Sequence, residues 1–211
     1  MIILGLTGSI GMGKSTASKR FLSNEIPVLD ADKVVHDLYQ GDAAQKIEEA
    51  FPGTVENGSV NREILAKYLI ENPEDFKKLG AIIHPMVRIE EARFIGENLK
   101  AGKKIVVLEV PLLLEGNMDD EVDAVIVVHA EDKLRRERVM QRPGMTEEKL
   151  NSIIAKQMPE EKKLERADYI VDTSLTIEDT WRQIDEIIAM VEGKEAGAVN
   201  IWKKAHPDLI T

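Results

Sequence analysis

The octapeptide Gly8-Ser9-Ile10-Gly11-Met12-Gly13-Lys14-Ser15 constrains this 211-residue chain more than any other stretch, because the sequence changes period across it. Residues 2–6 before it are a continuous apolar run, which suits a strand buried on both faces of a parallel sheet. After it, Ala17, Phe21 and Leu22 recur at helical spacing, leaving Ser18, Lys19 and Arg20 for the other face. The order is strand, glycine turn, helix. The turn itself matches G-x-x-x-x-G-K-[ST]. Gly8, Gly11 and Gly13 let successive backbone N–H groups, that of Met12 among them, point into one concavity at the positive end of the helix, and such a nest selects anions. In this geometry Lys14 reaches the β- and γ-phosphates of a nucleoside triphosphate, Ser15 offers a hydroxyl to Mg²⁺, and Thr16 adds another near the α-phosphate.

The rest of the chain supplies a sheet for that loop. Strand candidates at residues 27–29, ending at Asp30, and at 105–110, 122–128 and 169–171 are short and β-branched. Thr176 is placed to cap an amphipathic helix with Ile177, Trp181, Ile184, Ile188 and Val191 on one stripe. Strands alternating with helices predict a doubly wound α/β fold with a parallel sheet of about five strands. Residues 1–32, 103–130 and 160–192 form the expected nucleotide-binding core. Residues 33–102 are too long for a simple crossover and read as a helical lobe. Residues 131–159 read as a lid of two helices hinged at Pro143-Gly144, with Thr146 capping the second. Residues 193–211 are a tail that Trp202 is suited to dock.

Composition narrows the partners. The hydrophobic share of 43% and charged share of 31% are those of a soluble globular chain, and apolar stretches such as 104–114 stop well short of a membrane span. A formal charge of −10 argues against a nucleic-acid partner, so positive charge for an anionic ligand must be concentrated locally. The absence of cysteine excludes disulfides and thiol catalysis and fits a reducing cytoplasm, and the four histidines show no metal-ligand spacing.

A phosphate loop alone does not distinguish a kinase from a switch or a mechanical ATPase. The strand ending Leu108-Glu109-Val110-Pro111 lacks the aspartate that usually closes a Walker B strand, and no N-K-x-D sequence is present to read guanine. Both absences favour a small-molecule kinase. Asp30 and Asp32 lie at the carboxyl end of the second strand, where a carboxylate can take a proton from an acceptor hydroxyl or hold it in line; alternatively, Asp32 caps the helix beginning near Lys33. Arg135, Arg138 and Arg142 are spaced to share a helical stripe, either on a closing lid or on a solvated face beside Arg136 and Glu137. His84, just before Pro85, reads as a helix end or turn.

In the order and spacing of its motifs the chain resembles the dephospho-CoA kinase family. The agreement comprises L-T-G-S-I-G-M-G-K-S-T at 6–16, V-L-D-A-D at 28–32, I-I-H-P-M-V-R at 82–88, V-P-L-L-L-E at 110–115 and R-V-M-Q-R-P-G-M-T-E-E at 138–148. The resemblance implies ATP-dependent phosphorylation of the ribose 3′-hydroxyl of dephospho-CoA, by a chain with a CoA-binding lobe and a mobile lid. It implies Asp32 as general base or hydroxyl orienter, Lys14 and Arg142 steadying the phosphoryl group, Arg138 near ATP, and Asp30, Arg62, His84 and Arg88 at the acceptor site. Two departures stand out: Asp172-Thr173-Ser174-Leu175 replaces the D-N-x-G of many members, and Ile153 stands where several carry a lid arginine. A nucleoside or nucleoside-monophosphate kinase, or a nucleotide-binding switch, are the competing readings. A monomer or small homo-oligomer is expected.

Overall fold

The apolar run at the start forms β1 (Ile2–Thr7), buried at every residue, in a computed structural model that describes residues 1–211. The glycine loop leads into α1 (Lys14–Ser23), then β2 (Val28–Asp30) and α2 (Ala31–Tyr39). Next come α3 (Ala44–Ala50), a hairpin of β3 (Val55–Glu56) and β4 (Ser59–Val60), α4 (Arg62–Glu71) and the 25-residue α5 (Phe76–Lys100). The remainder is β5 (Ile105–Glu109), β6 (Ala124–His129), α6 (Asp132–Met140), α7 (Glu147–Ala155), α8 (Glu160–Glu165), β7 (Tyr169–Asp172), α9 (Ile177–Val191) and α10 (Ala198–Ala205).

The chain forms two compact units, Met1–Leu29 with Ile95–Thr211, and Asp30–Phe94. In the first, the sheet order is β2-β5-β1-β6-β7, with β1 central and paired in parallel to β5 and β6. The registers Leu6↔Glu109 and Thr7↔Val127 bring the carboxyl ends of three strands level with the start of the glycine loop. This is the edge at which an α/β sheet binds ligands. Leu4, Leu6 and Ile126 from the sheet, Phe21 from α1 and Ile184 and Ile187 from α9 share one core. Thr176 caps α9 through a reciprocal capping box with Asp179, as the sequence predicts. The strand expected at 122–128 lies two residues later at one end, because Asp123 turns its carboxylate to the N–H groups of Ile3, Gly197 and Ala198. The same contacts dock the tail. Trp202 is 1% exposed and donates its indole N–H to Glu121 O at 2.8 Å.

The second unit has a core of its own, in which Leu38, Ile47, Phe51, Leu65, Leu69 and Ile83 meet, with Tyr68 edge-on to Phe51 at 5.6 Å. Asn57-Gly58, a turn signal in the sequence, closes the β3–β4 hairpin, two short strands inside a segment that reads as helical. His84 does not end a helix. It sits in mid-α5 with Pro85 inside the same helix. Proline removes one backbone donor and costs a helix interior about 3 kcal/mol in isolation; burial of Ile83, with Leu79, Met86 and Val87 packed on the same core, holds both halves in one helix.

Candidate active site

In the first unit, the glycine loop leaves β1 and starts α1 at Gly13, whose φ of +94° is left-handed. No side chain caps α1 and no acidic residue lies in its first turn, so its positive end is left for an anion. Gly11, with φ of +80°, has a second reason to be glycine: a Cβ would lie 2.9 Å from Arg135 O and 2.6 Å from Val139 Cγ2, so α6 sits directly on the loop. Lys14 donates from Nζ to Gly8 O at 3.0 Å, which lays its ammonium over the loop it follows. Ser15 is exposed and Thr16 half-buried at the helix start.

Four side chains that carried no assigned role in the sequence reading bond the loop or the helix it leads into. Glu109, buried at the end of β5, accepts from Ser18 Oγ of α1 at 2.5 Å, so a carboxylate does stand at the Walker B end of that strand. On the opposite side, Thr173 donates to Met12 O at 2.8 Å. Gln157 Oε1 accepts from Ile10 N at 3.2 Å, and Glu160 accepts from Ser9 Oγ at 3.0 Å while pairing with His129 Nδ1 at 3.1 Å. A cavity of about 380 Å³ opens there, lined by Ser9, Arg135, Ile154, Gln157, Met158 and Glu160. Its wall is tied down by Glu115, which accepts from Met158 N at 2.7 Å and lies 2.9 Å from Nζ of the fully buried Lys163. That ammonium is poorly aligned for a hydrogen bond, so the contact is an ion pair. Burial works to raise the Glu115 pKa, but the Met158 N–H and Lys163 outweigh it and hold the carboxyl below its ordinary value.

Two helices flank Pro143-Gly144, and Thr146 caps the second, as the sequence predicts. The arginine stripe is not present. α6 ends at Met140, so Arg142 falls in the turn beyond it and is exposed, while Arg135 is buried against the loop and paired with Asp132. The turn at Pro143-Gly144 is what removes Arg142 from the helical period. Arg138 donates from Nη1 to Thr173 Oγ1 at 2.9 Å and from Nη2 to Thr173 O at 2.7 Å. Arg136, one of the presumed surface charges, bridges the hinge by donating to Glu147 at 2.9 Å and Asn151 at 3.2 Å.

In the second unit the helix cap belongs to Asp30, whose Oδ1 accepts from Lys33 N at 3.1 Å; α2 begins at Ala31 and Asp32 lies exposed in its first turn. The capping role open to Asp32 in the sequence is therefore filled by its neighbour. His84, Arg88 and Glu91 fall at i, i+4 and i+7 on α5. Arg88 pairs with the buried Glu91 at 3.0 Å, and burial raises the Glu91 pKa while Arg88 works to lower it. Gly80 makes room one turn earlier, since a Cβ there would lie 3.2 Å from His84 Cε1. Arg62 opens α4, exposed, with its charge felt by the phenol of Tyr39.

The family model for dephospho-CoA kinase matches residues 2–179. The chain is similar to the dephospho-CoA kinase of Brucella melitensis, with 52% identity over 198 residues, covering 94% of this chain and 99% of that protein. Among solved structures it is similar to the crystal structure of TT1252 from Thermus thermophilus, at 34% identity and a TM-score of 0.78, covering 91% of this chain and 98% of that one. It is also similar to the dephospho-CoA kinase from Campylobacter jejuni, at 25% identity and a TM-score of 0.69, covering 90% and 96%.

Proposed function

Because the chain belongs to the dephospho-CoA kinase family, we propose that it transfers the terminal phosphoryl group of ATP to the ribose 3′-hydroxyl of dephospho-CoA, giving CoA and ADP. The observation that carries the reading is the uncapped glycine loop at the carboxyl edge of a parallel sheet, inside a family match that runs from β1 into α9.

The hydroxyl oxygen bonds to the γ-phosphorus as the bond to the ADP oxygen breaks, and the hydroxyl proton leaves to a base. Asp32 is the residue we assign to orient that hydroxyl or take its proton; it is exposed in the first turn of α2. Loop amides from Gly8 to Thr16 bind the triphosphate, Lys14 and Arg142 steady the transferring group, and Arg138 borders the nucleotide. Asp30, Arg62, His84 and Arg88 form the acceptor set; the shared α5 face of His84 and Arg88 supports the last two as an anion-binding pair.

Ser15 would hold Mg²⁺, since its hydroxyl is exposed at the start of α1. No group of three or more His, Asp or Glu side chains gathers into an all-protein metal site, which suits an ion bound jointly with phosphates. When bound, the ion neutralises charge on the β- and γ-phosphate oxygens. No helix is long and apolar enough to cross a membrane; the cysteine-free composition supports a cytoplasmic setting, and a monomer or small homo-oligomer is our reading of its assembly.

The test is ADP formation by purified protein with Mg-ATP and either dephospho-CoA or nucleoside monophosphates. Turnover that requires dephospho-CoA is expected. Turnover on monophosphates alone, or slow ATP hydrolysis indifferent to any acceptor, rejects the reading.

A further inference from the structure

Thr173 follows β7 and is 3% exposed. Its own N–H donates to His129 O at 2.8 Å, anchoring it to the sheet. A hydroxyl has one hydrogen and a guanidinium only donates, so the bonds run in one direction: Arg138 Nη1 to Thr173 Oγ1, then Thr173 Oγ1 to Met12 O. In a trans peptide the carbonyl and the following N–H point opposite ways. Holding Met12 O toward Thr173 therefore turns the Gly13 N–H away from it, whereas a flipped peptide would present a carbonyl oxygen on that side. An anion nest fails when an oxygen replaces one of its amides. The approach requires glycine at 13, since a Cβ there would lie 2.9 Å from Thr173 Oγ1.

We propose that Thr173 is a positioning residue that keeps the Met12-Gly13 peptide in its anion-binding orientation, and that Arg138 acts through it, so that the placement of α6 governs how ready the loop is to take a nucleotide. The inference rests on the kinase reading only in assigning the anion to a nucleotide.

Thr173→Val keeps the side-chain shape and removes the donor. Calorimetric titration of the full chain with Mg-ADP should show a dissociation constant raised about tenfold, the size of one hydrogen bond lost from a preorganised site. KM for dephospho-CoA at saturating ATP should stay within about twofold, and Thr173→Ser, which restores the hydroxyl, should bind Mg-ADP within about threefold of the parent. Arg138→Met should weaken Mg-ADP by about three- to tenfold, and its loss should be less than additive with that of Thr173→Val, because the Nη1 bond acts through the Thr173 hydroxyl while the Nη2 bond to Thr173 O survives that substitution. Thr173→Ala replaces the valine variant if circular dichroism shows that the latter does not fold. Wild-type Mg-ADP affinity in the folded valine or alanine variant overturns the proposal, as does a serine variant as weak as the valine one, or additive losses in the double variant. Failure of the wild-type chain to make ADP in response to dephospho-CoA would instead remove the kinase reading and leave the Mg-ADP titrations to decide the role of Thr173.

Discussion

Replacing Lys163 by methionine removes a charge from a fully buried side chain while keeping most of its length. Its partner Glu115 is 19% exposed and still receives the Met158 N–H. Breaking a buried pair so that one charge is stranded costs about 3–5 kcal/mol. The retained hydrogen bond and the partial exposure of Glu115 bring the expected loss to about 2–3 kcal/mol at pH 7. The pH dependence has a definite sign. The folded pKa of Glu115 is lowered from 4.5, so its contribution is fully present above that value and is lost as pH falls through the folded pKa. The stability gap between parent and Lys163→Met should therefore be widest at neutral pH and close below pH 4.5. Urea denaturation followed by circular dichroism at pH 7, and at the lowest pH where both chains still unfold cooperatively, measures the gap. Glu115→Gln, which strands the lysine charge, should lose at least as much at pH 7, and combining the two should recover about 1–3 kcal/mol. A loss under about 0.5 kcal/mol at pH 7, or a loss equal at both pH values, would refute the ion-pair account.

Three further changes bear on the assignments. Asp32→Asn should lower turnover by on the order of 10²–10⁴ with ATP affinity nearly intact, read from kcat and from nucleotide titration; full activity would remove Asp32 from the reaction. If the role proposed for Lys14 holds, Lys14→Ala should damage both ATP binding and rate, because the lysine would meet the phosphates in ground and transition states alike, while denaturation shifts by less than about 1 kcal/mol for a residue outside the core. Trp202→Ala should cost about 3–5 kcal/mol in a urea melt; a loss under about 1 kcal/mol would mean that the docked tail contributes little to stability.

Much of the fold was legible because its signals are local. Periodicity located all five strands of the main sheet, since a buried parallel strand is an unbroken apolar run, and the break between α6 and α7 announced itself through Pro143-Gly144 and a capping threonine. The misreadings share a cause. Pro85 looks like a helix end until the core contacts of Ile83 and its neighbours are known. Asp30 and Asp32 are equally good caps on paper, and only the observed start of α2 chooses between them. Arg142 continues the spacing of Arg135 and Arg138 in number but not in space, because α6 stops first.

From the sequence alone comes the phosphate loop. Strand burial, two left-handed glycines, a lysine and a hydroxyl within sixteen residues leave few other conformations for that segment. What stands around the loop was decided by tertiary structure: Ser18 meets Glu109, Ser9 meets Glu160, and Met12 meets Thr173, pairs separated by 91, 151 and 161 residues. No local period encodes such contacts. Glu109 and Thr173 arrive because parallel pairing sets β5, β6 and β7 in register with β1, so that residues from remote parts of the chain leave the sheet at the same edge, while Glu160 is brought in by α8.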